Sequence, residues 1–560
     1  MRPTHVQKQS TIHRCLDWSR RNPKDAGFVV AVAGFIVLGF ILRSNGFWFH
    51  PIGLWGDEAH QAMRMTRLSI GEMVMRPLGF TGFTKLCVTW FGYDERTLRL
   101  LSYLTSVAML LVAPFVGRYA FERRFTAALL VALVALHPAL IDYAKEFKPY
   151  ATETFVHLGL VALLLAYRKK RTRVLLYGLA VAAPIGFLFA YNTIFLYPAL
   201  FLLWGIDVVQ TRQYPRLWAI VPSAVLCLAA PALLYVVAWS SLDKGEEENF
   251  WANKYNSFYV AEGDNATEGT RVDWVAKRYA SVVAIPAMER DSWGSRWMER
   301  KTRHSIEDAW YYFWVGLHLA GIVSLAHRRR FHLLTLWLLP LLVALGFNQI
   351  GRWPFSAFRV NLFTLAYTLP LACAGFDGLL GNRRRWVELS TRAAVVFVLW
   401  LPYALFGFGW HEDKDYWTTS TEMVETMARM RKVRERTLQR RPDAPPETIL
   451  LDSYACGPMR YYTQLDAKTL RKHGEFFREN FELRCTGRGM VKRARKQKEP
   501  FWVILAQGRW ANDDTATELA ELGKFLVDVR PIRVQRVLRI RPTKKRKKSK
   551  KHRGSRSKKD

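Results

Sequence analysis

The sequence predicts a polytopic α-helical membrane protein of about 11 transmembrane helices, followed by a small extracytoplasmic α/β domain. Half of the 560 residues are hydrophobic, and the apolar residues come in blocks of about 15 to 23, long enough to cross a bilayer. Short runs of Arg and Lys separate these blocks. This composition excludes a disordered chain. The net charge of +35, from 82 Lys and Arg against 47 Asp and Glu, is therefore informative through its distribution along the chain.

The apolar blocks define the predicted spans, several of which are short or interrupted by Pro or Gly. In chain order they are Gly27–Leu42, Leu98–Val116, Phe125–Ile141, Ala151–Tyr167, Val174–Tyr191, Thr193–Ile206, Leu217–Trp239, Trp310–Leu325, Leu333–Phe347, Arg359–Gly375 and Ala393–Trp410.

The basic clusters in the loops predict the orientation. With residues 1–26 in the cytoplasm and the first span retained as an anchor, every short-loop cluster falls on the cytoplasmic side, including Arg168–Arg173 and Arg383–Arg385. We therefore expect an integral protein of a bacterial plasma membrane. The predicted outer regions are residues 44–97, 137–150, 240–309, 348–358 and everything after residue 410.

The first outer region contains two adjacent carboxylates, Asp57 and Glu58, beside Trp55. A partly desolvated carboxylate at this place can act as a general base or bind a divalent cation. Alternatively, Asp57 simply starts a helix that continues through Gln61 and Met63. The local sequence leaves both interpretations open.

The second outer region is a short turn that packs Asp142, Lys145, Glu146, Lys148 and Glu153 between two spans. Ionisable residues at membrane depth are costly and usually mark a functional site. A solvated turn whose charges neutralise one another is the alternative.

The third feature is Arg359, at the outer end of the tenth predicted span. A guanidinium at the membrane boundary lies at the level of a lipid phosphate and can bind it with two hydrogen bonds. The alternative is an arginine that snorkels to the interface.

At these residues the chain resembles the GT-C fold glycosyltransferases, in the branch of dolichyl-phosphate-mannose protein mannosyltransferases and bacterial aminoarabinose transferases (glycosyltransferase family 39). The resemblance covers roughly residues 27 to 410. It implies transfer of a sugar from a polyprenyl-phosphate donor, with inversion, on the extracytoplasmic side. The motifs that carry it are Leu54–Ala59, Arg76–Phe80, Phe91–Leu100, Tyr143–Tyr150 and Trp353–Phe355 with Arg359.

The resemblance also implies roles for the acidic motif. Asp57 would take the proton of the acceptor hydroxyl, and Glu58 would position the acceptor or share a metal or hydrogen-bond network. His60 is a candidate ligand, with Asp57, for a divalent cation. A lone histidine is more often a packing or hydrogen-bonding residue.

The same resemblance implies a site for the donor. Lys148, Arg359 and Lys85 are candidate cations for the departing lipid phosphate. Glu146 would orient Lys148 or the sugar, and Tyr150 completes the turn as a substrate-binding residue. Lys148 stands where many relatives have Arg, which keeps the charge but weakens bidentate binding.

The predicted domains are a cytoplasmic segment (1–26), a transmembrane domain (27–410), an α/β domain (411–542) and a disordered basic tail (543–560). The Trp-rich insertion 240–309 is interpreted as a lid or acceptor-contacting element. In the α/β domain Cys456 and Cys485 could form a disulfide.

Charges in membrane loops and a tail of 11 Lys and Arg favour lipid headgroups over nucleic acid as partners. Two other function classes remain. A transporter or flippase for lipid-linked sugars would place charges in mid-span and show inverted repeats, neither of which is apparent. A non-catalytic envelope-binding protein would tolerate loss of Asp57.

Overall fold

A computed structural model describes the chain over the ranges that follow. They are residues 23–49, 54, 56–67, 76–237, 270–284, 300–355, 359–380, 420–451, 453–465, 473, 475–485, 493–494, 496–497, 499–505, 523–529 and 536–542. Residues 1–22 of the predicted N-terminal segment, the eleventh span, most of the insertion 240–309 and the basic tail lie outside these residues.

The chain divides into two compact units. The first comprises Met1–Ile52 and Arg64–Lys414, and the second comprises Gly53–Met63 and Asp415–Asp560. Helix α2 (Gly56–Arg67) begins in the second unit, and its first turn carries Asp57 and Glu58.

The first unit is a helical bundle with an extended apolar core. Its other helices are α1 (Pro23–Ser44), α3 (Leu78–Phe91), α4 (Glu95–Ala120), α5 (Arg124–Leu136), α6 (Pro138–Asp142), α7 (Tyr150–Lys170), α8 (Arg173–Phe189), α9 (Tyr197–Thr211), α10 (Leu217–Val237), α11 (Arg271–Ala284), α12 (Arg300–His327), α13 (Phe331–Gln349) and α14 (Leu365–Leu379). Short 3₁₀ helices occur at Tyr143–Lys145, Tyr191–Phe195, Tyr214–Arg216 and Arg359–Thr364.

The bundle is that of an integral multi-pass membrane protein. Within the described residues, a helix coincides with each of the first ten predicted spans. Six helical segments are long and apolar enough to cross a membrane, or seven if a bent pair counts as one span. The predicted number of about 11 is thus not confirmed. The six are Ala26–Ser44, Glu95–Ala120, Tyr150–Lys170, Tyr214–Val236, Phe331–Gln349 and Arg359–Leu379.

The predicted span Phe125–Ile141 is not one straight helix. It breaks at His137, and the pieces on either side meet at 51°. Pro138 explains the break, because a residue that precedes proline is disfavoured in the helical region, and His137 has φ −63° and ψ 120°. The second piece leads into the charged turn that ends at Tyr150.

Ion pairs connect the basic loops at one end of the bundle. Asp207 lies 3.3 Å from Arg171 and 3.7 Å from Arg216. Asp377 pairs with Arg328 and lies 3.4 Å from Arg123. Each aspartate therefore joins two different loops that the positive-inside rule assigns to the same side.

The second unit contains a five-stranded mixed sheet, in agreement with the predicted α/β domain. The strand order is β2-β1-β3-β5-β4, in which β1 pairs in parallel with β2 and β3, and the other pairs are antiparallel. The elements are α15 (Ser420–Arg440), β1 (Glu447–Leu451), α16 (Ser453–Gln464), α17 (Glu475–Asn480), β2 (Phe481–Cys485), β3 (Phe501–Leu505), β4 (Gly523–Val529) and β5 (Arg536–Pro542).

The sheet has an apolar core, and a disulfide joins one of its strands to a neighbouring helix. Ile449, Leu450, Val503 and Ile504 on the two central strands are fully buried. The expected Cys456–Cys485 disulfide is present, with the two Cα atoms 5.5 Å apart, and it links α16 to the end of β2. The sequence also predicts a helical stretch over Ala516–Phe525 in this domain; its end is wrong, because β4 begins at Gly523, and residues 516–522 lie outside the described residues.

Candidate active site

Charged residues from several segments of the first unit lie near Tyr150. They are Arg359, Arg76, Glu153 and Glu146, each close enough to Tyr150 to interact electrostatically with its phenol. Loop counting predicted that Asp57, Glu146 and Arg359 would lie at one face, and Glu146 and Arg359 both lie near Tyr150; Asp57 belongs to the second unit, so its place at that face stays a prediction. Arg76 was absent from the predicted site residues, although it lies in a quoted motif just before Pro77 and helix α3.

The charged turn that carries Glu146 and Lys148 is held by its neighbours. Ser102 on α4 donates a hydrogen bond to the Lys148 carbonyl at 2.8 Å. The Phe147 ring stacks on Phe80 of α3, with centroids 5.8 Å apart. Lys148 is buried, whereas a solvated surface turn would expose it. Cations in a dry, fixed turn favour the functional interpretation of these charges.

Arg359 begins the 3₁₀ segment that leads into α14, and an amide network fixes its position. Asn361 accepts a hydrogen bond from the Trp353 indole at 2.8 Å and donates one to the Pro354 carbonyl at 2.7 Å. Asn348, at the end of α13, donates to the Trp353 carbonyl at 2.8 Å. The Trp-Pro segment of the predicted motif is thus hydrogen-bonded to the 3₁₀ segment that begins at Arg359.

A buried polar chain runs inward from Glu153, one turn beyond Tyr150. Asn192 donates to the Glu153 carboxylate at 2.9 Å, and its carbonyl oxygen lies 2.9 Å from His157 Nε2. His157 Nδ1 is hydrogen-bonded to the Tyr367 hydroxyl. Sequence reasoning noted Glu153 only as one charge of the turn. Its spacing of four residues from His157 on an apolar helix was the signal, since such positions share a face.

Lys85 is placed differently from the cluster around Tyr150. Its side chain is exposed on α3, as are Leu86, Trp90 and Phe91. An exposed lysine among exposed apolar side chains suits the headgroup level of a bilayer. A role for Lys85 in binding the donor phosphate remains a prediction.

The acidic motif lies in the second unit, at the start of α2. Asp57 and Glu58 occupy its first turn, where carboxylates are stabilised by the helix dipole. Asp57 and His60 are exposed, whereas Glu58 is fully buried. Asp57 thus lies in the first turn of a helix, as the alternative interpretation predicted, and its side chain is exposed.

The predicted divalent cation has only a partial ligand set in the described part of the chain. There, no group of three or more His, Cys, Asp and Glu side chains that could hold a metal ion is found. Asp57 and His60 are spaced by three residues on one helix and could supply two ligands. The cation remains a prediction.

Comparisons with known proteins identify similar structures but no matching sequence family. No family model matches the sequence, and no curated protein matches it. The structure is similar to ArnT, an aminoarabinose transferase, from Cupriavidus metallidurans bound to undecaprenyl phosphate. The identity is 14%, the match covers 91% of this chain and 97% of that chain, and the TM-score is 0.45.

Two further structures are similar. The apo state of the same ArnT has 13% identity, covers 92% of this chain and 98% of its own, and gives a TM-score of 0.43. An oligosaccharyltransferase from Archaeoglobus fulgidus, in complex with zinc and sulfate, has 13% identity, coverages of 88% and 71%, and a TM-score of 0.38.

Proposed function

We propose that this protein is an inverting membrane glycosyltransferase that moves a sugar from a polyprenyl-phosphate donor to an extracytoplasmic acceptor. The observation that carries the proposal is the charged turn before Tyr150, in which Lys148 is buried and its carbonyl accepts a hydrogen bond from Ser102, with Arg359 and Arg76 near the same tyrosine. Arginine binds phosphate with two parallel hydrogen bonds. Carboxylates beside it suit the hydroxyl groups of a sugar.

In the proposed reaction Asp57 takes the proton of the acceptor hydroxyl. The acceptor oxygen forms a bond to the anomeric carbon while the bond from that carbon to the phosphate oxygen breaks. The phosphodiester of the donor becomes a phosphate monoester, so one negative charge is added to the leaving group. Arg359, Arg76 and Lys148 would stabilise this charge as it develops.

Roles for the remaining residues follow from their surroundings. Glu146 would orient Lys148 or a sugar hydroxyl, and Tyr150 would contact the phosphate or the sugar. Glu58, which is buried, would support Asp57 rather than meet the acceptor directly. A divalent cation at Asp57 and His60 would position the acceptor oxygen.

A transporter for lipid-linked sugars is disfavoured by the positions of the buried carboxylates and arginines in the described part of the bundle, which lie near helix ends. Asp207 and Asp377 lie near the last turns of α9 and α14, Arg43 lies at the end of α1, and Glu153 lies in the first turn of α7. A permeation path needs charged groups deeper in the spans.

The central experiment measures sugar transfer by purified protein in liposomes that contain defined polyprenyl-phosphate sugars. Asp57→Asn is expected to abolish transfer, because the amide cannot accept the proton. Donor that crosses the bilayer while no product forms would instead identify a flippase. Full transfer by Asp57→Asn would refute the mechanism.

A second variant tests the phosphate site. Arg359→Ala should raise the apparent KM for the lipid donor, whereas Arg352→Ala, an exposed arginine on the same loop, should not. Equal donor KM values for these two variants would remove Arg359 from the site.

A further inference from the structure

The segment that presents Asp57 belongs to the same compact unit as the α/β domain. Gly53–Met63 groups with Asp415–Asp560, although more than 300 residues separate them in sequence. In this segment Leu54, Glu58, Ala59 and Ala62 are fully buried, while Asp57 faces outward. The burial repeats at helical spacing, so one face of the start of α2 is packed and the other is exposed.

One hydrogen bond fixes the chain just before the motif. The backbone N–H of Leu54 donates to the phenol oxygen of Tyr462 at 3.3 Å. Both residues are fully buried. A buried N–H that loses its partner is costly, so this bond determines where the chain enters α2. Leu54 precedes Asp57 by three residues.

Tyr462 is itself rigidly placed. It lies on α16, which follows the interior strand β1 and is joined to the end of β2 through the Cys456–Cys485 disulfide. Its ring meets the ring of Tyr461 edge-on, with centroids 5.0 Å apart. A reactive group is held most accurately when its supports lie on such fixed elements.

We propose that Tyr462 is a positioning residue for the Asp57–Glu58 segment, so that the C-terminal α/β domain is a working part of the transferase. The domain would set the place of the base, a role distinct from the selection of acceptors. This inference rests on the proposed role of Asp57 in the reaction. Its structural half, that Tyr462 holds the segment, can be tested without any activity.

The test compares Tyr462→Phe with Tyr461→Phe in the full-length protein in liposomes. Both variants lose one phenol oxygen from adjacent, fully buried tyrosines of the same helix. Only Tyr462 accepts from Leu54, so amide hydrogen exchange of the peptide that covers residues 53–63 should accelerate about tenfold in Tyr462→Phe. Tyr461→Phe should exchange at the wild-type rate.

The kinetic arm distinguishes positioning from a loss of folding. In Tyr462→Phe, kcat should fall about tenfold with the donor KM unchanged, because the phosphate site belongs to the other unit. An intact Cys456–Cys485 disulfide by mass mapping and a normal gel-filtration profile establish that the variant is folded.

Three results would overturn the proposal. They are wild-type exchange in Tyr462→Phe, accelerated exchange with an unchanged kcat, and an equal effect of Tyr461→Phe. A wild-type protein that transfers none of the polyprenyl-phosphate sugars would refute the proposed function instead. In that case the exchange measurement still decides whether Tyr462 holds the segment.

Discussion

Replacing Asn192 with leucine should destabilise the membrane bundle measurably, because this buried amide bridges two polar groups. Its N–H donates to Glu153, which leaves its carbonyl oxygen facing His157. His157 therefore carries its proton on Nε2, and its Nδ1 accepts from the hydroxyl of Tyr367. The three hydrogen bonds therefore form one chain in which Tyr367 donates to His157, His157 donates to Asn192, and Asn192 donates to Glu153.

The size of the effect follows from what is left unpaired. Leucine is close in shape to asparagine, so the volume is kept while one acceptor on Glu153 and one donor on His157 lose their partner. Each such loss costs about 1 to 3 kcal/mol in a protein interior. Hydrogen bonds inside membrane proteins average only about 0.6 kcal/mol, because the unfolded chain also finds partners. We therefore expect the lower end of the range, about 2 kcal/mol in total.

Reversible unfolding in mixed micelles, followed by circular dichroism during a titration with sodium dodecyl sulfate, measures this loss. The double variant Asn192→Leu, His157→Phe should lose less than the sum of the two single variants, because it removes both members of a pair. Strictly additive losses, or an unchanged free energy of unfolding in Asn192→Leu, would refute the described chain of hydrogen bonds.

Three further predictions concern packing, ion pairs and the donor. Gly375→Ala should destabilise the bundle by about 1 to 3 kcal/mol, because the added methyl group would clash with the Leu317 carbonyl oxygen. The control is Gly346→Ala, whose methyl group would meet no atom within 4 Å and which should unfold like wild type in the same titration. Asp377→Asn should cost about 1 to 2 kcal/mol in that assay, because its two arginine partners are about a third exposed and screened by solvent. Arg76→Ala should raise the donor KM in the transfer assay, and an unchanged KM would exclude Arg76 from the phosphate site.

The sequence predicted the helices well because the bilayer imposes a pattern on composition. An uncharged block must be helical to satisfy its backbone in lipid, and a helix occurs at each of the first ten blocks of the described chain. The charged ends of the helices, which extend beyond the apolar blocks, are not determined by the bilayer in this way. Helix α12 begins at Arg300, ten residues before the block that starts at Trp310, because a helix can continue beyond the apolar region with polar side chains.

Loop counting also predicted part of the site, because the rule that orients basic loops fixes the face of every other loop. Loop counting predicted a common face for Asp57, Glu146 and Arg359, but it could not predict which side chains are in contact. Asn192 became a partner of Glu153 only through the 3₁₀ segment at Tyr191–Phe195, which periodicity does not reveal. Hydropathy assigns a side of the membrane to a residue and says nothing about its neighbours.

The acidic motif marks the limit of local reasoning in this chain. In sequence it lies between helices of the first unit, yet the backbone N–H of Leu54 just before it donates to a tyrosine 408 residues further along the chain. No spacing rule reaches that far, and Tyr462 lies in a domain whose sequence carries no catalytic motif. If that hydrogen bond positions Asp57, substitutions in α16 that spare the fold should lower kcat and leave the donor KM unchanged. Substitutions near Arg359 should instead raise the donor KM and leave kcat unchanged. Steady-state kinetics can therefore distinguish the role of the α/β domain from that of the phosphate site.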